Sequence, residues 1–253
     1  MKFVLIVIFM TTVLLSCRLS DKKESLNNNI TKSVNYPENL LKILKAHGGL
    51  TNWKNAKTLV FYLKDEKHTV ELSSRKTVVR SNNYSLGFDG NQVWLLQKDS
   101  ATFKRKPEFY YNLYFYFYAM PFVLADNGIE YSNTPSITFQ GESYPGIKIS
   151  YQNGIGSTPD DNYYLYFHPK TYQMQWLGYT ATYNSKKTTL KPKLIRYNNW
   201  EHTQGLLLPK LITWYQSDER GNPKKATEKQ LNFLHAQISK QTLDSSFFKK
   251  PLQ

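Results

Sequence analysis

Few residues in this chain are of a type and spacing that could do chemistry, and they are scattered. His47-Gly48-Gly49 has the composition of an oxyanion loop, in which glycine amides stabilise a developing negative charge. An esterase also needs a Gly-x-Ser-x-Gly turn to present its nucleophile, and Gly154-Ile-Gly-Ser157 lacks the closing glycine. The bland reading of His47-Gly48-Gly49, the C-terminal stop of a helix, is the expected one. Histidines 47, 68, 168, 202 and 235 show neither His-x-x-x-His nor His-Glu-x-x-His spacing, so no metal site is expected. Asp160-Asp161 has the chemistry of half a glycosidase pair or of a calcium ligand. Within Pro-Asp-Asp-Asn it reads instead as a loop cap. No phosphate-binding glycine loop is present, and a non-catalytic chain without cofactor is the expectation.

The one cysteine, Cys17, has a different chemistry in prospect. Lys2 is followed by the apolar run Phe3–Leu15 and then by Ser16-Cys17, a targeting segment too short to cross a membrane, since a spanning helix needs about 20 apolar residues. Leu14-Leu15-Ser16-Cys17 resembles a bacterial lipobox, which implies cleavage before Cys17 and a lipid anchor on it. A lone cysteine leaves nothing to pair in a disulfide, so the exported fold must rest on packing. Residues 17–35 are polar and read as a flexible tether. Arginine after Cys17 implies, by resemblance to the sorting rule of enteric bacteria, the outer membrane. The domain division so expected is 1–16 signal peptide, 17–35 tether and 36–253 folded domain.

The formal net charge is +14 over 253 residues, and Lys2 carries only one unit of it. No recognition helix, RNP-like run or zinc finger accompanies that charge, so nucleic acid is not an expected partner. For an exported chain the anions at hand are lipid head groups and acidic glycans.

The most unusual stretch is Pro107–Phe122: nine of the fourteen residues from Phe109 to Phe122 are aromatic. Each ring hides roughly 150 to 250 Å² when covered, so leaving the stretch in water would exceed any apolar patch normal for a soluble monomer. Pro107-Glu108 suits a first helical turn and Pro121 an end, so residues 108–119 are expected to form a helix. Tyr110, Leu113, Tyr114, Phe117 and Tyr118 would then share one face. An amphipathic helix is expected over residues 36–47, stopped by Gly48-Gly49. The rest reads as about ten or eleven antiparallel strands, with a strong hairpin signal at Asp89-Gly90-Asn91. Several strands carry large apolar groups on both faces, as in Tyr163-Tyr-Leu-Tyr-Phe167, so the sheet is either covered on both sides or curled around an apolar cavity.

The hairpin Phe88-Asp-Gly-Asn-Gln-Val-Trp94, Phe167-His-Pro-Lys-Thr171 and Gly205-Leu-Leu-Leu-Pro-Lys210 resemble the LolA-like lipoproteins. Ala46-His-Gly-Gly-Leu50 and Met120-Pro-Phe-Val-Leu124 resemble, more narrowly, a family of Bacteroidota lipoproteins of unknown function. The resemblance covers residues 38–250 and implies a mainly β fold, a single antiparallel half-open β-barrel with an N-terminal helix and an aromatic lid helix over its mouth. It also implies an interior that accepts acyl chains. The expected cavity wall is Tyr110, Leu113, Tyr114, Phe117, Tyr118, Met120, Phe122, Trp94 and Trp176. The expected partners are the membrane through lipidated Cys17, a lipid or acyl-chain ligand, and an envelope protein. Two alternatives stay open: a structural or assembly lipoprotein whose aromatics fill a dry core, and a hydrolase of envelope glycans or lipids.

Overall fold

The computed structural model describes residues 35–151, 161–180 and 191–252. The expected signal peptide, Cys17, nearly all of the tether, Gly154–Ser157 and Asp160 lie outside the described residues.

Helix α1 (Glu38–Ala46) buries Leu40, Ile43 and Leu44, which helical spacing puts on one face, and carries Glu38 in its first turn and Lys45 in its last, both favourable to the helix dipole. A second, shorter helix not expected from the sequence, α2 (Leu50–Asn55), follows and buries Trp53. Five strands come next: β1 (Thr58–Leu63), β2 (Glu66–Glu71), β3 (Thr77–Arg80), β4 (Tyr84–Phe88) and β5 (Val93–Gln97). Asp89 fixes the β4–β5 turn by accepting the amides of Asn91 and Gln92, each at 2.8 Å. Beyond the aromatic stretch run β6 (Ile129–Phe139), β7 (Glu142–Tyr151), β8 (Tyr163–Phe167), β9 (Met174–Tyr179), β10 (Lys193–Thr203), β11 (Leu206–Ser217) and β12 (Pro223–Ser239).

The twelve strands of the described residues form one sheet in the order β5-β4-β3-β2-β1-β12-β11-β10-β9-β8-β7-β6, slightly more than the ten or eleven expected, and every pairing among them is antiparallel. The sheet is open: β5 and β6 are its edges and do not pair with each other. Yet they are consecutive in the chain. Their connection, residues 98–128, therefore has to travel from one edge of the sheet to the other, and it does so across one face.

The expected single helix over 108–119 is corrected here. The stretch forms two short helices, α3 (Pro107–Tyr110) and α4 (Leu113–Tyr118), with Tyr111 and Asn112 between them, followed by a cis Met120–Pro121 bond and a 3-10 turn, Phe122–Ala125. A straight helix would present one narrow stripe. The break turns the rings toward different parts of a broad sheet: Phe103 and Tyr110 against the β3–β4 side, Tyr118 against Phe61 of β1 and Phe233 of β12, and Phe117 against Trp214 of β11.

The end of α1 is locked to the β10–β11 hairpin. Gly48 has φ +102°, and a Cβ placed there would lie 2.2 Å from the carbonyl oxygen of Gly205, whereas a Cβ on Gly49 (φ +90°) would meet nothing within 4 Å. Replacing Gly49 by alanine is therefore expected to cost about 1 to 2 kcal/mol from backbone strain alone. Gly48→Ala, which adds a backbone clash, is expected to cost distinctly more, and urea unfolding midpoints of the two variants compare them directly.

Candidate functional site

The face crossed by the aromatic stretch carries the main core. Leu59 and Phe61 of β1, Val70 of β2, Leu165 and Phe167 of β8, Leu177 of β9 and Ile212 of β11 all point to it. Alternation along the strands sends their neighbours to the other face. That rule separates the nine expected cavity residues. Tyr118, Met120 and Phe122 are in the main core, with Phe117 packed against it. Tyr110 belongs to a smaller cluster with Val79, Leu86 and Phe103, to which Leu113 and Tyr114 add partly buried walls.

Trp94 and Trp176 lie on the opposite face, which corrects their expected place beside the others. Trp94 packs with Val78 and Phe248, and its Nε1–H donates to the Phe248 carbonyl at 2.7 Å. Trp176 packs with Ile137, Tyr144 and Tyr166, 4.5 Å from the Arg196 guanidinium. Each is one residue away from an inward-facing leucine, Leu95 and Leu177.

Two polar contacts fasten the aromatic stretch at its ends. At the far end Arg75, in the β2–β3 turn, donates twice to the Asp126 carboxylate at 2.7 and 2.6 Å and stacks 4.9 Å from the Phe115 ring centre. At the near end the partner is Glu66, the first residue of β2. Its carboxylate accepts from the Tyr110 hydroxyl at 2.6 Å, from the Tyr84 hydroxyl, and from His68 Nε2 at 2.9 Å. Burial acts to raise the Glu66 carboxyl, but the hydrogen bonds from His68, Tyr110 and Tyr84 outweigh it and hold the group below the usual carboxylate range. Burial, and then the hydrogen bond to Glu66, push both tyrosine hydroxyls well above their usual range, so they remain donors. Glu66 is thus a buried anion whose donors come from β2, β4 and α3 at once.

Beside this network a cleft of about 380 Å³ opens, within the range of small-molecule sites. Leu63, Phe103, Tyr110, Tyr114 and Leu231 give it an apolar wall, Glu66 and Tyr84 a polar end, and Arg105 a cationic rim. Arg105 lies 4.9 Å from the Tyr110 ring centre and donates to the Tyr114 hydroxyl at 3.0 Å. A larger groove of about 620 Å³ runs on the other face, where Thr58, Thr69, Gln237 and Ser239 stand beside Val60, Leu243 and Phe247.

Reading the sequence for motifs missed Glu66 and His68, because the charges around residue 65 look like a turn. The usable signal was their spacing: two residues apart on a strand they share a face, and that face is otherwise the apolar one of Val70. The other histidines stay apart. His168 accepts turn amides of Lys170 and Thr171, and His202 lines the opposite groove. Asp161, the described half of the expected loop cap, is buried.

His47 is not part of an oxyanion loop. Its Nε2 accepts the Met174 amide at 3.0 Å, so the ring proton is on Nδ1, which donates to the Leu207 carbonyl at 3.2 Å. Burial lowers this imidazole from 6.5 to about 4, only partly opposed by the Leu207 hydrogen bond. Between those two values the unfolded chain binds a proton that the native protein does not. Stability is therefore expected to fall as pH drops from 6.5 toward 4, by an amount on the order of 3 kcal/mol from this residue, and to level off below. Urea titrations at pH 7, 5.5 and 4 measure the slope, which His47→Gln should flatten.

Comparison with known proteins gives a family model that matches part of the chain and several similar solved structures. The structure is similar to that of a LolA superfamily protein from Nitrosomonas europaea, at 9% identity and TM-score 0.37 over 76% of this chain and 87% of the other. It is also similar to a DUF1329 family protein from Desulfovibrio piger, at 10% identity and TM-score 0.46 over 83% of this chain and 95% of the other. A third likeness, at 8% identity and TM-score 0.37 over 82% and 95%, is to a domain from Vibrio parahaemolyticus described as an outer membrane lipoprotein-sorting protein. No curated protein matches the chain in sequence. Residues 96–221, from the end of β5 through the aromatic stretch to the β11–β12 turn, match the family described as "Family of unknown function (DUF6503)".

Proposed function

We propose that this chain is a non-catalytic envelope lipoprotein that binds a lipid or other apolar ligand on the inner face of its half-open sheet. The observation that carries the reading is the cleft under α3 and α4: an aromatic and aliphatic wall with a few convergent polar groups, the pattern expected of a binding site. Its place is at the end of the aromatic stretch, where Tyr114 is only half-buried, so a ligand needs to displace little. On this reading residues 1–16 are removed, Cys17 carries the anchor, residues 17–35 tether the domain 36–253, and the outer membrane is the proposed site. A tether suits a protein that holds its ligand near one membrane better than one that shuttles.

The Glu66 network does not favour hydrolysis. A nucleophile needs a group poised to lose its proton, and both tyrosines are pushed the other way. A specific observation does favour the second reading, a structural lipoprotein with a dry core. Phe115, Met120 and Phe122 are at most 2% exposed, so the middle of the aromatic stretch is packed against the protein itself.

Native mass spectrometry of the purified, unlipidated protein separates the two readings. Co-purified lipid that organic solvent removes is the expected result, and a reproducibly empty protein that takes up no added lysolipid would leave the dry-core reading. Substitutions add a second contrast. Tyr114→Ala is expected to reduce the lipid carried while costing under about 2 kcal/mol, whereas Phe122→Ala, in the packed middle, should cost roughly 3 to 5 kcal/mol.

A further inference from the structure

The inner mouth continues past the Glu66 cleft. Leu231 lines that cleft; Lys229, two residues earlier on β12, lines a second one of about 500 Å³ with Tyr179, Lys193 and Trp214. Its apolar wall is an extension of the aromatic stretch. The Phe117 ring centre is 5.6 Å from that of Trp214 and 5.9 Å from that of Tyr179, and Trp214 Nε1–H donates to the Tyr179 hydroxyl at 3.0 Å.

Cations gather around this wall. Lys229 Nζ sits 4.0 Å from the Trp214 ring centre. Lys193 lines the same cleft, and burial and then the charges of Lys193 and Arg105 hold the Lys229 ammonium below the usual lysine value. Arg105, in the loop before α3, rims the adjoining cleft that Leu231 lines. Among the described residues none of these three forms a salt bridge with a carboxylate. The nearby Glu66 already receives His68, Tyr84 and Tyr110. Like charges gathered on one solvent-facing rim beside an aromatic surface repel, and a bound anion would relieve that repulsion.

We propose that Arg105, Lys193 and Lys229 form a head-group site for an amphiphile whose phosphate head group is net negative, with its apolar part over Trp214, Phe117 and Tyr179. This rests on the ligand-binding reading above and names its ligand class. Free phosphate has the same charge but no apolar part, so tight binding requires both halves.

Isothermal titration of the purified, unlipidated protein below the micellar limit tests this with three probes: lysophosphatidylglycerol, lysophosphatidylcholine and inorganic phosphate. Lysophosphatidylglycerol is expected to bind at least tenfold more tightly than either of the others, and to weaken with added salt. The Lys193→Gln/Lys229→Gln variant should lose that preference, its affinity for lysophosphatidylglycerol falling to that for lysophosphatidylcholine, with an unchanged urea midpoint; Arg105→Gln provides an independent variant should the double one fail to fold. Equal affinity for the two lysolipids, a preference that survives these substitutions, or phosphate binding as tightly as the anionic lysolipid would overturn the head-group site alone. If neither lysolipid binds, the ligand-binding reading fails with it.

Discussion

An open sheet whose consecutive edge strands lie at opposite sides must be crossed by its own chain. β5 and β6 set that constraint here, and the connection between them supplies the material that covers the inner face. Its aromatic content follows from this. A connection crossing many strands has to bury surface at each of them without the regular hydrogen bonds of a strand, and rings offer the most buried area per residue. Tyr118 against Phe61 and Phe233, and Phe117 against Trp214, are successive points of that crossing. Backbone carbonyls freed by the broken helix are met by sheet tyrosines, Tyr197 to Phe117 at 2.9 Å and Tyr131 to Leu124 at 2.7 Å.

The same crossing explains where cleft space is left on the inner face. Between Glu66–Tyr110 at one end and Arg75–Asp126 at the other, the stretch is held by buried or half-buried polar contacts and its middle is dry. Among the described residues, cleft space lies beside the first of these latches, where α3 and α4 pass over the β2–β4 side and the β11–β12 side of the sheet. There the walls are half-exposed tyrosines and the rim is cationic. Phe247 and Phe248 cover one part of the outer face, and the aromatic cluster around Arg196 covers another, which is where the outward tyrosines of β8 pack.

Much of the architecture was legible because it rests on local rules. Asp89-Gly90-Asn91 does form the β4–β5 turn, Leu40, Ile43 and Leu44 do make the buried stripe of α1, and Tyr163–Phe167 does carry apolar groups on both faces. The departures are tertiary. Nothing within residues 108–119 says that two helices cover a wide sheet better than one, since both versions bury the same rings. Trp94 and Trp176 went to the wrong face in the sequence reading because the face of a strand is fixed only relative to its neighbours, by register. Glu66 escaped notice because a buried carboxylate is recognisable only once its three donors, distant in the chain, are brought to it. The His47-Gly48-Gly49 run was legible as a helix stop, but its hold on Leu207 and Met174 was not.

The central claim, that the inner face is covered by the aromatic stretch with a cleft left at its α3–α4 end where a lipid is proposed to bind, has a direct test in photo-crosslinking. A lysolipid with a photoactivatable group on its acyl chain, bound to the purified protein and mapped by peptide mass spectrometry, should label residues 103–117 and the β11 and β12 peptides around Trp214 and Leu231. Labelling confined to the groove between β1, β2 and the C-terminal segment would contradict the account, because that groove lies on the face the aromatic stretch does not cross.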